Sequence, residues 1–144
     1  MEIKKVDDSQ INKAINLIWE TFLQFEAPEY SAEGVQSFRS FIENKEMIQT
    51  LEFWGAFDNN ELKGVIAANE NRKHICCFFV KAKYHRQGIG KKLWEYLLDN
   101  SKNEIITVNS SPYAVPVYHK FGFVDTDMEQ LTDGIRYTPM KFER

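Results

Sequence analysis

The chain has 144 residues, 43% of them hydrophobic and 27% charged, with 18 Lys and Arg against 21 Asp and Glu. That length suits one domain around one substantial core, and a net charge of -3 argues against a general nucleic-acid binder, which is usually basic. No run of about 18 apolar residues exists to span a membrane, and the charged N-terminus MEIKKVDDSQ lacks the apolar centre of a signal peptide, so one cytoplasmic domain over residues 1–144 is expected.

Residues 2–6 read as a short strand. Ile11, Ile15, Ile18, Phe22 and Phe25 then recur at helical spacing and give one apolar face. Asp8 is the candidate N-cap and Pro28 the stop. Ser31 opens a second helix with Val35, Phe38 and Ile42 on one side. The link between the helices, EAPEYS, carries Glu26, Glu29 and Tyr30. From residue 51 the period falls to two, and LEFWGAF and LKGVIAA read as strands joined by a hairpin turn at DNN. The turn NENR leads to HICCFFV, apolar on both faces as a central strand requires.

A helix is predicted over 88–100, with Ile89, Leu93 and Leu97 on one face, and a short strand over 105–108. Ser111-Pro112 starts a further helix, Ser as N-cap and Pro as first helical residue, ending near Lys120. FVDTDMEQL and IRYTPMKF close the chain as two strands around Asp133-Gly134, a strong hairpin signal. Pro139 places the last strand at an edge or a bulge. The order βααβββαβαββ describes a mixed α/β domain, mostly antiparallel, with one strand–helix–strand crossover at its centre. Cys76 and Cys77 are adjacent. Neighbours on a regular strand point to opposite faces, so a disulfide between them is strained, and their spacing is not that of a zinc site. Two buried thiols in a reducing compartment are expected.

The chemistry concentrates in KAKYHRQGIGKKLW, residues 81–94. A glycine turn between a strand and a helix exposes backbone N–H groups at the helix N-terminus, where the helix dipole favours phosphate. Lys81, Lys83, Arg86, Lys91 and Lys92 add positive charge. Two phosphate cradles are excluded. His85 stands where the first Gly of a P-loop belongs and Lys92 where its Ser or Thr belongs, and Leu93 replaces the third Gly of a dinucleotide fingerprint.

FFV followed after five residues by RQGIGKKL resembles motif A of the GNAT acetyltransferase superfamily, [QR]-x-x-G-x-[GA] between the central strand and a helix. VNSSPYAVPVYHKFGF resembles its motif B, matching at Ala114, Tyr118, Gly122 and Phe123. Two motifs in order, with a matching element order, cover nearly the whole chain. The resemblance implies a GNAT fold, a central mixed and mostly antiparallel sheet flanked by helices. It also implies an acyl-CoA enzyme, most often using acetyl-CoA as co-substrate and a primary amine as acceptor, by direct transfer in a ternary complex. No metal is implied.

The CoA pyrophosphate would then rest on the N–H groups of Arg86, Gln87, Gly88, Ile89, Gly90 and Lys91. Its pantetheine arm would run along Phe78, Phe79 and Val80, beside a bulge and a V-shaped gap, with the thioester between Val80 and Val108. Gly88 and Gly90 fix the register, so the family's Gln or Arg falls on His85, and the part played by that side chain stays open. Tyr118 matches the family's general acid, a phenol able to protonate the departing thiolate, with a core tyrosine as the plain alternative. His74, at the start of the central strand, is the expected base because imidazole titrates near neutrality. Glu70 and ordered water are its rivals. The Val80 N–H is a candidate oxyanion donor. Ser111 is a candidate CoA contact as well as a cap, and Asn109 a further contact. His119 reads as surface. Glu26, Glu29 and Tyr30 are the residues expected to attract a cationic amine, unless the link is simply a solvated loop. A small-molecule acceptor is expected ahead of a protein one, and the resemblance allows a homodimer. Two other readings stay open, a CoA-binding sensor without catalysis and an enzyme acting on a protein N-terminus or lysine.

Overall fold

The computed structural model describes residues 1–69 and 71–144. Strand β1 (Glu2–Lys5) leads through a 3-10 turn at Asp8–Gln10 into helix α1 (Ile11–Phe25). A second 3-10 turn, Ala27–Glu29, separates α1 from α2 (Ala32–Glu43), and a short α3 (Lys45–Gln49) follows. Strands β2 (Glu52–Asp58), β3 (Glu61–Asn69) and β4 (His74–Val80) form a meander, and α4 (Ile89–Asn100) crosses over to β5 (Ile105–Ser110). Helix α5 (Val115–Lys120) and strands β6 (Val124–Asp125), β7 (Gln130–Thr132) and β8 (Ile135–Glu143) complete the chain. The sheet order is β1-β2-β3-β4-β5-β8-β6, with β7 on β8. Its pairs are antiparallel apart from β4 with β5.

Local chemistry explains most boundaries. Ser31 Oγ accepts from the Gly34 N–H at 3.2 Å and caps α2 as its sequence position suggests. Asn59 and Asn60 both take positive φ, 49° and 68°, the requirement of a two-residue hairpin that asparagine tolerates. Asp133 and Gly134 do the same at 53° and 78° before β8. Other expectations are corrected. Asp8 makes no cap, because it begins a 3-10 turn and α1 starts three residues later without a side-chain cap. Ser111 accepts from the Ala114 N–H at 3.2 Å, but the residues it caps form a turn, and α5 begins only at Val115. The penultimate strand splits into β6 and β7.

Pro139 explains that split. Strand β8 is interior, paired to β5 on one side and β6 on the other, and not at an edge. The Thr126 N–H donates to the Pro139 carbonyl at 2.8 Å, so the proline nitrogen faces β6 as well. It cannot return the bond, and β6 stops at Asp125. The ladder to β5 is untouched.

Two apolar clusters take the place of the single core the length suggested. On one sheet face α1 and α2 pack Leu17, Ile18, Phe22 and Ile42 onto Phe53, Val65, Cys77 and Phe79. On the other, α4 and α5 pack Leu93, Trp94, Leu97 and Tyr118 onto Ile66, Ile75, Ile106 and Met140. Strand β4 is shared by both clusters and carries the feature that opens the site. Its register against β3 slips between Ala67↔Cys77 and Ala68↔Ile75, so Cys76 is the extra residue of a bulge. The bulge also corrects the expectation for the thiols: Cys77 lies in the α1–α2 cluster and Cys76 packs against that same cluster, not on the opposite face.

Candidate active site

Strands β4 and β5 are partners only at His74↔Thr107 and Ile75↔Val108. Beyond these, β4 follows β3 to Val80 while β5 follows β8 to Ser110, and a wedge opens between them. Its β4 side is lined by backbone. The Lys81 N–H donates to the Lys63 carbonyl at 2.9 Å. By the alternation of an antiparallel ladder, Lys81 and Phe79 turn their backbone groups to β3, whereas Val80 and Phe78 turn theirs into the wedge. The Val80 N–H therefore faces the gap because β5 diverges. The bulge lies four residues earlier, at Cys76.

A cleft of about 700 Å³ runs from this wedge to the start of α4, lined among others by Phe78, Val80, Arg86, Gly88, Gly90 and Tyr118. Gly88 takes φ 80° at the N-cap of α4, and an added Cβ there meets nothing within 4 Å. The glycine is thus required by backbone conformation, and the space above the free N–H groups is open for an anion. Arg86 also holds a left-handed φ of 65°, unusual for a residue with a Cβ. The basic rim is smaller than its sequence suggests. Lys81 and Lys83 both lie 3.6 Å from the Glu61 carboxylate, and Gln87 bonds back to the Lys83 carbonyl at 3.4 Å. Arg86, Lys91 and Lys120 line the cleft.

The open question at His85 has a structural answer. Its Nε2 lies 2.7 Å from the Val80 carbonyl. A carbonyl only accepts, so this nitrogen carries the proton. The ring packs on Phe25 at 4.8 Å between centroids. The imidazole thus ties the glycine turn back to the end of β4 and forms part of the cleft wall.

Tyr118 is held by the helix end that follows it. The Phe123 N–H donates to the Tyr118 carbonyl at 3.0 Å and the Gly122 N–H to the His119 carbonyl at 3.0 Å, with Gly122 at φ 97°. This is a Schellman motif, and its hydrophobic contact is Phe123 against the Tyr118 ring, 5.2 Å between centroids. The G-F pair of the second motif thus fixes the tyrosine in place. The phenol is buried, and burial, followed by the charge of Glu26, holds its pKa well above the usual range. His119 is exposed and bonds Asp125 at 2.7 Å.

A second cavity of about 280 Å³ lies on the other side of Tyr118, between the α1–α2 link, α2 and the wedge. The two cavities share Glu26, Phe78, Phe79, Ala114 and Tyr118. This junction lies at the level of Phe78, deeper along β4 than the Val80–Val108 position expected for a thioester. Glu26, the last residue capping α1, is half-buried there. Burial pushes its carboxyl up to about 7, a hydrogen bond from Ser111 works against that, and Glu29 adds to it. A carboxyl titrating near neutrality between two cavities has the chemistry and the place of a candidate proton acceptor. The sequence showed it as one of several acids in a link, and only folding gives it this role.

The remaining expected residues divide. Tyr30 lines the second cavity, its phenol also raised, chiefly by burial. Glu29 is exposed and lies 3.7 Å from Arg136, outside both linings. Ser111 faces the second cavity with Asn109 and not the larger cleft. His74 stands at the closed end of the wedge, its Nδ1 2.7 Å from Thr107 Oγ1, and lines neither cavity, which corrects its expected place as base. Glu70 lies outside the described residues.

Residues 26–144 match a family model described as an acetyltransferase (GNAT) domain. A sequence comparison with curated proteins finds no match. Among solved structures, a GCN5-related N-acetyltransferase from Rhodopseudomonas palustris is similar with a TM-score of 0.86 at 17% identity, over 99% of this chain and 95% of that one. PaiA N-acetyltransferase from Thermoplasma acidophilum, in complex with coenzyme A, gives a TM-score of 0.78 at 22% identity, over 99% and 98%. An aminoglycoside 6'-N-acetyltransferase complexed with coenzyme A gives 0.67 at 13%, over 99% and 97%. At such identities these likenesses speak to the fold.

Proposed function

The chain belongs to the GNAT acetyltransferase family, and from that premise we propose that it transfers an acetyl group from acetyl-CoA to a primary amine in a ternary complex. Support comes from the relatives bound to coenzyme A, from the anion-ready start of α4 and from the wedge. The observation that carries the reading is the meeting of two cavities at Glu26 and Tyr118. The larger cleft takes the cofactor: N–H groups from Arg86 to Lys91 receive the pyrophosphate, and the backbone of Phe78 and Val80 pairs with the pantetheine arm. The smaller cavity takes the amine.

A primary amine arrives mostly protonated, with a pKa of about 10.4 for an alkylammonium. Glu26 accepts its proton, and the neutral nitrogen attacks the acetyl carbonyl. The N–C bond forms, the C–S bond breaks, the Tyr118 phenol gives its proton to the departing sulfur, and the second proton shed by the amide nitrogen restores the phenol. The phenol's raised pKa keeps it protonated until the thiolate develops. A backbone N–H of β4 facing the wedge stabilises the oxyanion. Net, an ammonium and a thioester become an amide, a free thiol and one proton released to solvent.

The test is release of CoA thiol from acetyl-CoA on addition of amines, with the product identified by mass. Acetylated amine with one thiol per turnover is expected. Tight CoA binding without turnover on any amine, unaffected by Tyr118→Phe, would support a sensor in place of an enzyme.

A further inference from the structure

The walls of the smaller cavity are specific enough to name an acceptor class. Phe38 and Phe41 come from α2, Tyr30 from the link and Phe79 from β4, with Ile75 and Ile135 beside them and the polar residues 109–111 on the β5 side. Phe38 is backed by Phe22, with ring centroids 4.1 Å apart, so this aromatic wall is braced by the core. Among the described lining residues Glu26 is the carboxylate, and none is Lys or Arg. At the nearby surface, outside the cavity lining, Arg136 bridges two carboxylates, Glu29 at 3.7 Å and Glu129 at 3.1 Å, and one negative charge is left over there. At about 280 Å³ the cavity lies just below the range of roughly 300–1,000 Å³ typical of drug-sized ligands.

Resting on the acetyl-transfer reading above, we propose that the acceptor is a compact primary amine with a single positive charge and an aromatic or bulky apolar body, its ammonium on Glu26 and its body among Tyr30, Phe38, Phe41 and Phe79. Three other classes fit poorly for physical reasons. A polyamine or aminosugar brings further cations, and one carboxylate pairs with one of them, leaving the rest desolvated. An amino acid brings a carboxylate that finds no cation on these walls and meets Glu26 as a like charge. A peptide needs an extended groove, whereas this space is a cavity of about 280 Å³. The aromatic rings reward an apolar body by burial and by edge or stacked contact, and a cation near them gains in addition.

The experiment is calorimetric titration of amines into the wild-type protein saturated with CoA. The probes are 2-phenylethylamine, spermidine, phenylalanine and a short peptide with a free N-terminus. Saturable binding of 2-phenylethylamine at least tenfold tighter than each of the others is expected. Phe41→Trp, which fills the cavity from a half-exposed position, should weaken that amine at least tenfold and leave CoA affinity unchanged. Equal or tighter binding of spermidine, phenylalanine or the peptide overturns the proposal, and so does failure of every amine to bind. Thiol release measured for the same amines with acetyl-CoA in place of CoA separates the two readings. If 2-phenylethylamine binds selectively without being acetylated, the cavity's ligand class stands and the acetyl-transfer reading falls.

Discussion

The two halves of the site are built from different material. The cofactor half is backbone: the free N–H groups at the start of α4, the wedge-facing peptides of Phe78 and Val80, and a glycine whose φ of 80° no ordinary residue adopts without strain. It comes from one continuous stretch of chain. The acceptor half is side chain: rings from α2, the link and β4, a carboxylate from the end of α1 and a hydroxyl after β5. A backbone cradle recognises a ligand that does not change, and a side-chain pocket can be rebuilt for a new amine without disturbing it. Tyr118 and Glu26 stand where the halves meet.

Substitutions can separate the halves, and the largest effect is expected at their junction. Tyr118→Phe removes the proposed proton donor and keeps the ring against Phe123, so kcat should fall by about 10²–10⁴-fold, the usual worth of a general acid, with CoA affinity retained. An unchanged kcat would make Tyr118 a packing residue. Gly88→Val strikes the backbone half. A β-branched residue at that φ costs roughly 1–3 kcal/mol, and its side chain enters the open space above the helix start. The KM for acetyl-CoA should rise about 10–100-fold with amine binding little altered, and an unchanged KM would remove the phosphate from this turn.

Smaller effects follow. Glu26 has an ordinary pKa of 4.5 that rises to about 7 in the fold. The folded state therefore resists its ionisation, and stability declines as pH climbs from 4.5 to 7. Glu26→Gln removes that loss, so melting at pH 8 should rise by about 2–4 °C, with no gain at pH 4. An equal shift at both pH values would mean that the carboxyl is not strained. His85→Ala deletes one hydrogen bond between the turn and Val80, worth about 1 kcal/mol. A rise of a few-fold in the KM for acetyl-CoA, with kcat kept, is expected from steady-state assays. A loss of kcat would give the imidazole a chemical role.

The contrast also explains what sequence could reveal. Gly88 and Gly90 mark the cradle because backbone conformation is a local property, written in the residues that adopt it. Gly122 and Phe123 reveal the setting of Tyr118 for the same reason, as a helix end needs only its own neighbours. Helix faces and hairpin turns were legible on equal grounds. Glu26 was legible as an acid able to attract an amine but not as a base, because its burial beside Phe78 and Tyr118 depends on residues more than fifty positions away. His74 was chosen for its chemistry, but its position at the closed end of the wedge is set by pairing with β5. The bulge at Cys76 left no sign in HICCFFV, because apolar residues suit both faces of a central strand. The end of β6 was not readable, since Pro139 suggested an edge or a bulge in the last strand, whereas β8 is interior and the proline ends its partner.

The claim that the halves meet at a titrating carboxylate is tested most directly by the pH dependence of kcat/KM for an accepted amine in wild-type and Glu26→Gln protein. In the wild type, kcat/KM should rise with pH and level near 7, as Glu26 gives up its proton. In Glu26→Gln that limb should vanish, the value at pH 7 should be about 10²-fold lower, and activity should instead climb toward the amine's own pKa near ~10. Identical profiles for the two proteins would contradict the assignment of Glu26 and separate the acceptor cavity from the chemistry.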